Sequence, residues 1–359
     1  MSMKIFLDGR IDYNTGIYTY ITSLKENLNL LDGDLDIQIV KDRLDFIKTK
    51  SKKIHAIATL IYENYVMSYE LNSLKCDIYH CTKNFGIPSR AQFPVVTTLH
   101  DLIPLVLRRE YSKLFYQHKY FEYYLSKAIK FSNALICISK FTRDEFFRIY
   151  PEYKNKIYCI SQGIDKNYGR NVTKSKAAAI LERFCINKDY VLVMGGAEPR
   201  KNVAMFLKIF DENPDLIPYD IVMVGGNWSN HKALVSKLRS REFHSLKNIS
   251  QDELVAVYKM STAFVFPSIY EGFGLPVLEA MACGTPVLAH SGASIPEVAG
   301  NAAMLVDMRN PEECLRGLKK LLSDRSLREH YIAAGRERIK LFSWEKTASE
   351  TLEVYKSVV

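Results

Sequence analysis

The chain has 359 residues, 47% of them apolar and 25% charged, the make-up of a globular protein with length for about two domains. No apolar run approaches the ~18 residues that cross a bilayer, and MSMKIFLDGR leads into a strand pattern rather than a signal peptide; the expectation is a cytoplasmic protein. Seven scattered cysteines without a CxxC pair, most in apolar stretches, fit a reduced compartment. The formal charge is +9, and residues 1–170 hold +7 of it, with 25 Lys/Arg against 18 Asp/Glu. Such a basic half meets a phosphorylated substrate or the inner face of an anionic membrane, or simply solvates the surface. No DNA- or RNA-binding motif accompanies it, so nucleic acid is not an expected partner.

Apolar runs of strand length alternate with helix-length stretches, with no internal repeat. In the first half the runs are 4–8, 36–40, 77–80, 95–99, 134–138 and 157–160. Continuous runs such as VVTTL and ALICI predict strands covered on both faces, hence a mostly parallel sheet between helices. In such sheets ligands bind beyond the carboxyl ends of strands, so the residues just after each strand deserve inspection. After the first strand, Gly16 opens a helix, but the full GxGxxG spacing is missing. Asp32, Asp34 and Asp36 mimic a DxD metal motif yet precede a strand, and read as an acidic turn. His100 and Asp101 leave the strand VVTTL, where a histidine can orient or protonate a substrate group and a neighbouring acid can set its tautomer; a structural histidine is the competing reading, and no second His/Asp pair supports a metal. Residues 108–131 mix basic and aromatic side chains at near-helical spacing, for core packing with a solvated basic face or for docking on a membrane or a lipid-linked acceptor.

A polar connection at 163–175 separates the halves, and the scheme repeats with strands at 190–194, 220–224, 263–267, 286–289 and 303–306, between helices at 202–210, 230–241, 251–260, 276–282 and 311–322. Arg200 and Lys201 follow the strand YVLVMGG and precede a helix; cations there stabilise negative charge on a leaving diphosphate, or form an ordinary basic turn. The loop after AFVFPS, with Glu271, Gly272, Phe273, Gly274 and Leu275, feeds a helix through Pro276 and presents helix-end amides suited to a phosphate. Glu271 and Glu279 bracket it; so close to a phosphate, carboxylates more plausibly accept hydrogen bonds from sugar hydroxyls.

Together these stretches resemble the family 4 retaining glycosyltransferases. The likeness runs through HDLIP (100–104), ISKFTRDEF (138–146), ISQGID (160–165), PRKN (199–202), FPSIYEGFGLPVLEAMACGTPV (266–287), PEVAGNAA (296–303) and FSW (342–344). The resemblance implies a GT-B fold: α/β, two Rossmann-like doubly wound parallel-sheet domains facing a cleft. An acceptor domain would span 1–168 with the last helix, 344–359, crossing back to it, and a nucleotide-sugar donor domain would span 169–343. Position by position, it implies Arg200 and Lys201 on the donor diphosphate, Glu279 on the ribose, and Glu271 with the Gly272–Leu275 amides on the transferred sugar and its phosphate. It also implies His100, beside Asp101, facing the donor sugar, Asn248 and Ile249 near the base, and Gly16 in the first loop, where the family often has paired glycines. No metal and no separate cofactor would be needed, the nucleotide-diphosphate sugar being a co-substrate. The acceptor hydroxyl would attack from the front face with the departing phosphate as base.

The expected function is therefore transfer of a hexose to a glycan or lipid-linked acceptor. EPRKN beside HDLIP is similar to bacterial mannosyl- and rhamnosyl-type transferases of surface polysaccharides, which points to GDP-mannose. A nucleotide-sugar epimerase and a non-catalytic sugar-nucleotide binding protein are the alternatives.

Overall fold

A computed structural model describes residues 3–11, 16–41, 58–84, 86–107, 115–153, 156–169, 172–196, 198–213, 219–225 and 243–359. The expected helix at 230–241 and residues 108–114 of the basic aromatic stretch lie outside them. The chain forms two compact units, Met1–Gly163 with Trp344–Val359, and Ile164–Ser343.

The first unit is built on a six-stranded parallel sheet: β1 (Lys4–Asp8), β2 (Asp36–Val40), β3 (Ile78–Cys81), β4 (Val95–Leu99), β5 (Ala134–Cys137) and β6 (Ile157–Cys159), in the order β2-β1-β3-β4-β5-β6. The central strands β3, β4 and β5 are buried at every residue, which is why they read as unbroken apolar runs. The acidic residues before β2 make a turn in which Asp32 accepts from the Asp34 amide at 3.0 Å. In helix Phe115–Phe131, Phe121, Tyr124, Leu125, Ala128 and even Lys127 are buried, while Tyr123 and Lys119 face out.

Helix Trp344–Lys356 belongs to this first unit, packing along helix Gly16–Leu31. Trp344 meets the Tyr20 ring edge-on at 5.8 Å, Thr347 donates to the Ser161 carbonyl at 2.7 Å, and the Tyr355 hydroxyl lies 2.6 Å from His80 Nδ1. The other His80 nitrogen bonds Thr98 Oγ1 at 2.8 Å, and burial pushes its pKa down to about 3. His80 is thus a neutral core residue tying β3 to the last helix.

The second unit has its own parallel sheet: β7 (Tyr190–Met194), β8 (Asp220–Val224), β9 (Phe243–Leu246), β10 (Ala263–Phe266), β11 (Val287–His290) and β12 (Met304–Val306), in the order β12-β11-β10-β7-β8-β9. Read from its other edge this is the doubly wound 3-2-1-4-5-6 order, with the topological switch between β7 and β10. Helices Val203–Glu212 and Pro311–Ser323 pack on one core of this sheet through Phe206, Phe210, Leu318 and Leu321. All seven cysteines are free thiols, five of them buried.

Because Trp344 closes a core that helix Gly16–Leu31 cannot cover alone, Trp344→Ala should cost about 3–5 kcal/mol of stability. The measurement is denaturant unfolding followed by far-UV circular dichroism.

Candidate active site

The crevice beyond a topological switch point is where open α/β sheets bind ligands, and in the second unit the carboxyl ends of β7 and β10 carry the residues singled out above. After β7 the chain passes Gly195, where a Cβ would lie 2.8 Å from Val203 Cγ2, so only glycine lets the strand exit run this close to the next helix. It then makes a 3₁₀ turn, Pro199–Lys201, closed by Asn202 in the left-handed region at φ 52°. Asn202 Nδ2 donates to the Met308 carbonyl at 2.7 Å, which fixes the turn. The sequence PRKN thus encodes a turn that aims two cations.

Both cations meet Glu271. Lys201 Nζ lies 2.6 Å from Glu271 Oε1 and Arg200 Nη1 3.1 Å from Oε2, and the three side chains are 13–20% exposed. Ser268 Oγ donates to Oε1 at 2.6 Å, and the Arg200 carbonyl accepts from the Ile269 amide at 2.8 Å. Burial pushes the Glu271 pKa up, but Lys201 and Arg200 outweigh it and hold the carboxyl below its usual range. Glu271 was read from sequence as an acceptor for sugar hydroxyls; here its two oxygens hold the cations in register. Arg200 also bonds Glu198 at 2.8 Å and the Tyr270 carbonyl at 3.2 Å, whereas a lysine has three donors and the Glu271 pair uses one of those of Lys201.

The loop after Glu271 is shaped by packing. Gly274 sits at φ 111°, with Ile295 Cδ1 2.6 Å from where a Cβ would be. Phe273 is buried with its ring edge-on to Phe342 at 5.9 Å, which explains the FSW stretch and makes Phe273 an anchor of the loop. Helix Leu275–Ala282 starts at Gly274 without a side-chain cap; Pro276 has no N–H and the Val277 amide donates to the Gly274 carbonyl at 3.0 Å, which leaves the Leu275 amide at the helix's positive end.

One turn on, Glu279 is set among tyrosines. Tyr258 donates to it at 2.9 Å and Tyr168 also hydrogen-bonds it. Burial raises its pKa, helped by the charge of Asp165 and opposed by the two phenols. Neither tyrosine was singled out from sequence: Tyr258 lies in the helical stretch 251–260 and Tyr168 in the polar connection 163–175. Asn248, in left-handed backbone at φ 52°, and Ile249 precede Ser250, the cap of helix Gln251–Met260 that carries Tyr258.

In the first unit His100 leaves β4, 8% exposed. Its Nε2 lies 2.8 Å from the Thr82 carbonyl, which makes Nε2 the protonated nitrogen, and Nδ1 faces the Gln162 amide at 3.4 Å. Thr82, rather than Asp101, therefore sets the tautomer; Asp101 instead accepts from the Ile103 amide at 3.1 Å. Burial lowers the His100 pKa to about 4, so at neutral pH the ring is uncharged and is not a proton donor of the imidazolium type. Gly16 is exposed, and a Cβ there would meet nothing within 4 Å, so packing does not demand a glycine.

At this sheet's own switch point, between β1 and β3, lies a buried ion cluster that sequence inspection missed. Arg10 forks onto Asp8 at 2.9 and 2.8 Å and reaches Glu63 at 3.2 Å, and Lys83 donates to the Arg10 carbonyl. Gly86, at φ 91°, sits where a Cβ would fall 1.9 Å from Arg10 Nη2. The cluster fills this edge with protein charge.

The Glycosyl transferases group 1 profile matches residues 183–338, and the Glycosyltransferase Family 4 profile matches residues 59–168. O-antigen chain mannosyltransferase B of Escherichia coli is 30% identical over 298 residues, covering 80% of this chain and 76% of that protein. The chain belongs to the family 4 glycosyltransferases. Serotype-specific mannosyltransferase WbdA of Escherichia coli is 27% identical over 273 residues, and this chain spans about a third of its length, with 72% of this chain and 33% of that protein aligned. Sucrose-phosphate synthase from Thermosynechococcus elongatus superposes with a TM-score of 0.80 at 17% identity, over 99% of this chain and 98% of that one. The glycosyltransferase fold is GT-B, and the enzyme is a glycosyltransferase.

The raised pKa of Glu279 gives a signed prediction. A carboxyl whose folded pKa lies above its unfolded value of about 4.3 adds stability below that value and loses it as pH rises through the folded pKa. Glu279→Gln should therefore melt higher than the wild type at pH 8, with the advantage shrinking toward pH 4 in a thermal-shift series.

Proposed function

We propose that this family 4 glycosyltransferase transfers a mannosyl residue from GDP-mannose, with retention of configuration, to a glycan or lipid-linked acceptor in surface-polysaccharide synthesis. The observation that carries it is the Arg200–Lys201–Glu271 cluster at the switch point, beside the uncapped start of helix Leu275–Ala282. As the glycosidic bond breaks, charge collects on the diphosphate, and fixed cations with helix-end amides lower its energy without a metal or other cofactor. Glu279 takes the ribose hydroxyls, Asn248 and Ile249 flank the base, and the Gly272–Leu275 amides meet the sugar phosphate. The acceptor hydroxyl attacks on the side the diphosphate leaves, and the leaving oxygen takes its proton. The mannosyl assignment follows the named relatives, O-antigen mannosyltransferase B above all.

We also infer peripheral contact of the first unit with an anionic membrane. Among the described residues no helix is long and apolar enough to cross one. The helical run 58–73, with a π turn at Tyr62–Val66, buries Tyr62, Met67 and Leu71 yet exposes Ile61, Tyr65, Val66 and Tyr69 at 42–76%. The Arg90 guanidinium lies 4.6 Å from the Tyr65 ring centroid, so the stripe combines apolar side chains with a cation, as an interfacial surface does.

Lys201→Ala should weaken GDP binding by about 10–100-fold, the worth of a charge-assisted hydrogen bond, in calorimetry with the fold intact. Unchanged affinity would overturn the donor site, and an inverted anomer in the product by NMR would overturn retention. Y65S/Y69S should lose flotation with phosphatidylglycerol vesicles while keeping GDP affinity; equal flotation would remove the membrane contact.

A further inference from the structure

Leu275, Pro276 and Glu279 form the partly exposed face of helix Leu275–Ala282, while Val277, Leu278, Ala280 and Met281 turn into the core. A glutamate at such a place ordinarily samples several rotamers. Two phenols from two other segments remove that freedom. Tyr258, fully buried in helix Gln251–Met260, donates to Glu279 Oε2 at 2.9 Å. Tyr168 comes from the short turn Lys166–Gly169, which Asp165 builds: its carboxylate accepts from the Asn167 amide at 2.8 Å and its carbonyl from the Tyr168 amide at 3.1 Å. Cys283 Sγ, 3.5 Å from the Tyr168 carbonyl, ties that turn to the end of the Glu279 helix. Gln251 donates to the Tyr168 hydroxyl, so the one phenolic hydrogen goes to Glu279. The two rings meet edge-on at 6.3 Å, which braces each against the other.

A carboxylate has about four acceptor sites, and the phenols fill two. The sites that remain belong to a half-buried side chain and can only accept, so they suit a ligand with two neighbouring O–H donors. We propose that Tyr168 and Tyr258 are positioning residues for donor recognition: they hold the Glu279 carboxylate in one rotamer, which makes the site select a ribonucleotide over a nucleotide whose sugar lacks the 2′ and 3′ hydroxyls. This rests on the reading of Glu279 as the ribose carboxylate and adds to it two residues that act through Glu279. Selectivity follows from the fixed geometry, because an acceptor that cannot turn away is left unpaired by a sugar without hydroxyls.

The test is the ratio of GDP to 2′,3′-dideoxy-GDP affinity, by competition binding, in wild type, Tyr168→Phe, Tyr258→Phe and the double variant; the uridine pair replaces the guanosine pair where UDP binds tighter. Phenylalanine keeps the ring and removes only the O–H. The double variant should lower the ratio about tenfold, one charge-assisted hydrogen bond's worth, and each single variant part of that, with affinity for the dideoxy analogue nearly unchanged. Tyr190→Phe, which strips a buried phenol bonded at 2.6 Å to the Val257 carbonyl of the same helix as Tyr258, should leave the ratio at the wild-type value. Ratios that stay level or rise in both single variants, or affinities for the two nucleotides that fall together, would show that the phenols serve only packing and would overturn the proposal. A wild type that binds both nucleotides equally would instead remove Glu279 from the ribose, and one that binds neither GDP nor UDP would remove the donor site; either result takes the role of the phenols with it.

Discussion

Lys201 and Arg200 are held against Glu271 beyond the carboxyl ends of β7 and β10, at the topological switch of the second unit's sheet. Two long, flexible cations left in solvent would lose their orientation to rotamer freedom, and an isolated carboxylate this deep would be costly to ionise. Paired, each answers the other's desolvation, and the pairing explains the turn chemistry around it: glycine at 195, left-handed asparagine at 202, and Ser268 on the far side of the carboxylate. For the diphosphate proposed above, the charge would be placed before binding, so little binding energy would go into arranging side chains, which is the condition for electrostatic stabilisation of a leaving group.

The fold was legible because parallel strands buried on both faces leave unbroken apolar runs, and all eleven runs marked in the sequence coincide with or overlap observed strands. The strand Phe243–Leu246 was not marked: its residues FHSL are partly exposed at the sheet edge, and its apolar signal is correspondingly thin. Of the site, the charged side chains and glycines after strands could be named, since strand ends and glycine-rich turns announce themselves. What could not be named depends on long-range packing. Tyr258 looks like a core residue and Tyr168 lies in a polar connection, and both reach Glu279 only through the fold.

The same limit applies to protonation. His100 and His80 are both histidines at or near strand ends, and nothing local distinguishes them from titrating groups. Burial does: with backbone or phenol partners on their nitrogens and little water access, both stay neutral, and the His100 tautomer is dictated by the Thr82 carbonyl across the strand edge. The Asp8–Arg10–Glu63 cluster of the first unit spends its charge on architecture.

Helix Trp344–Lys356 is separated in sequence by the whole of the second unit from the strands it covers, so the core around Tyr20, Ile21 and Leu24 closes only through contacts of high sequence separation. Closing so long a loop costs entropy before any contact rewards it, and until it closes the first unit keeps apolar surface uncovered and exposed to aggregation.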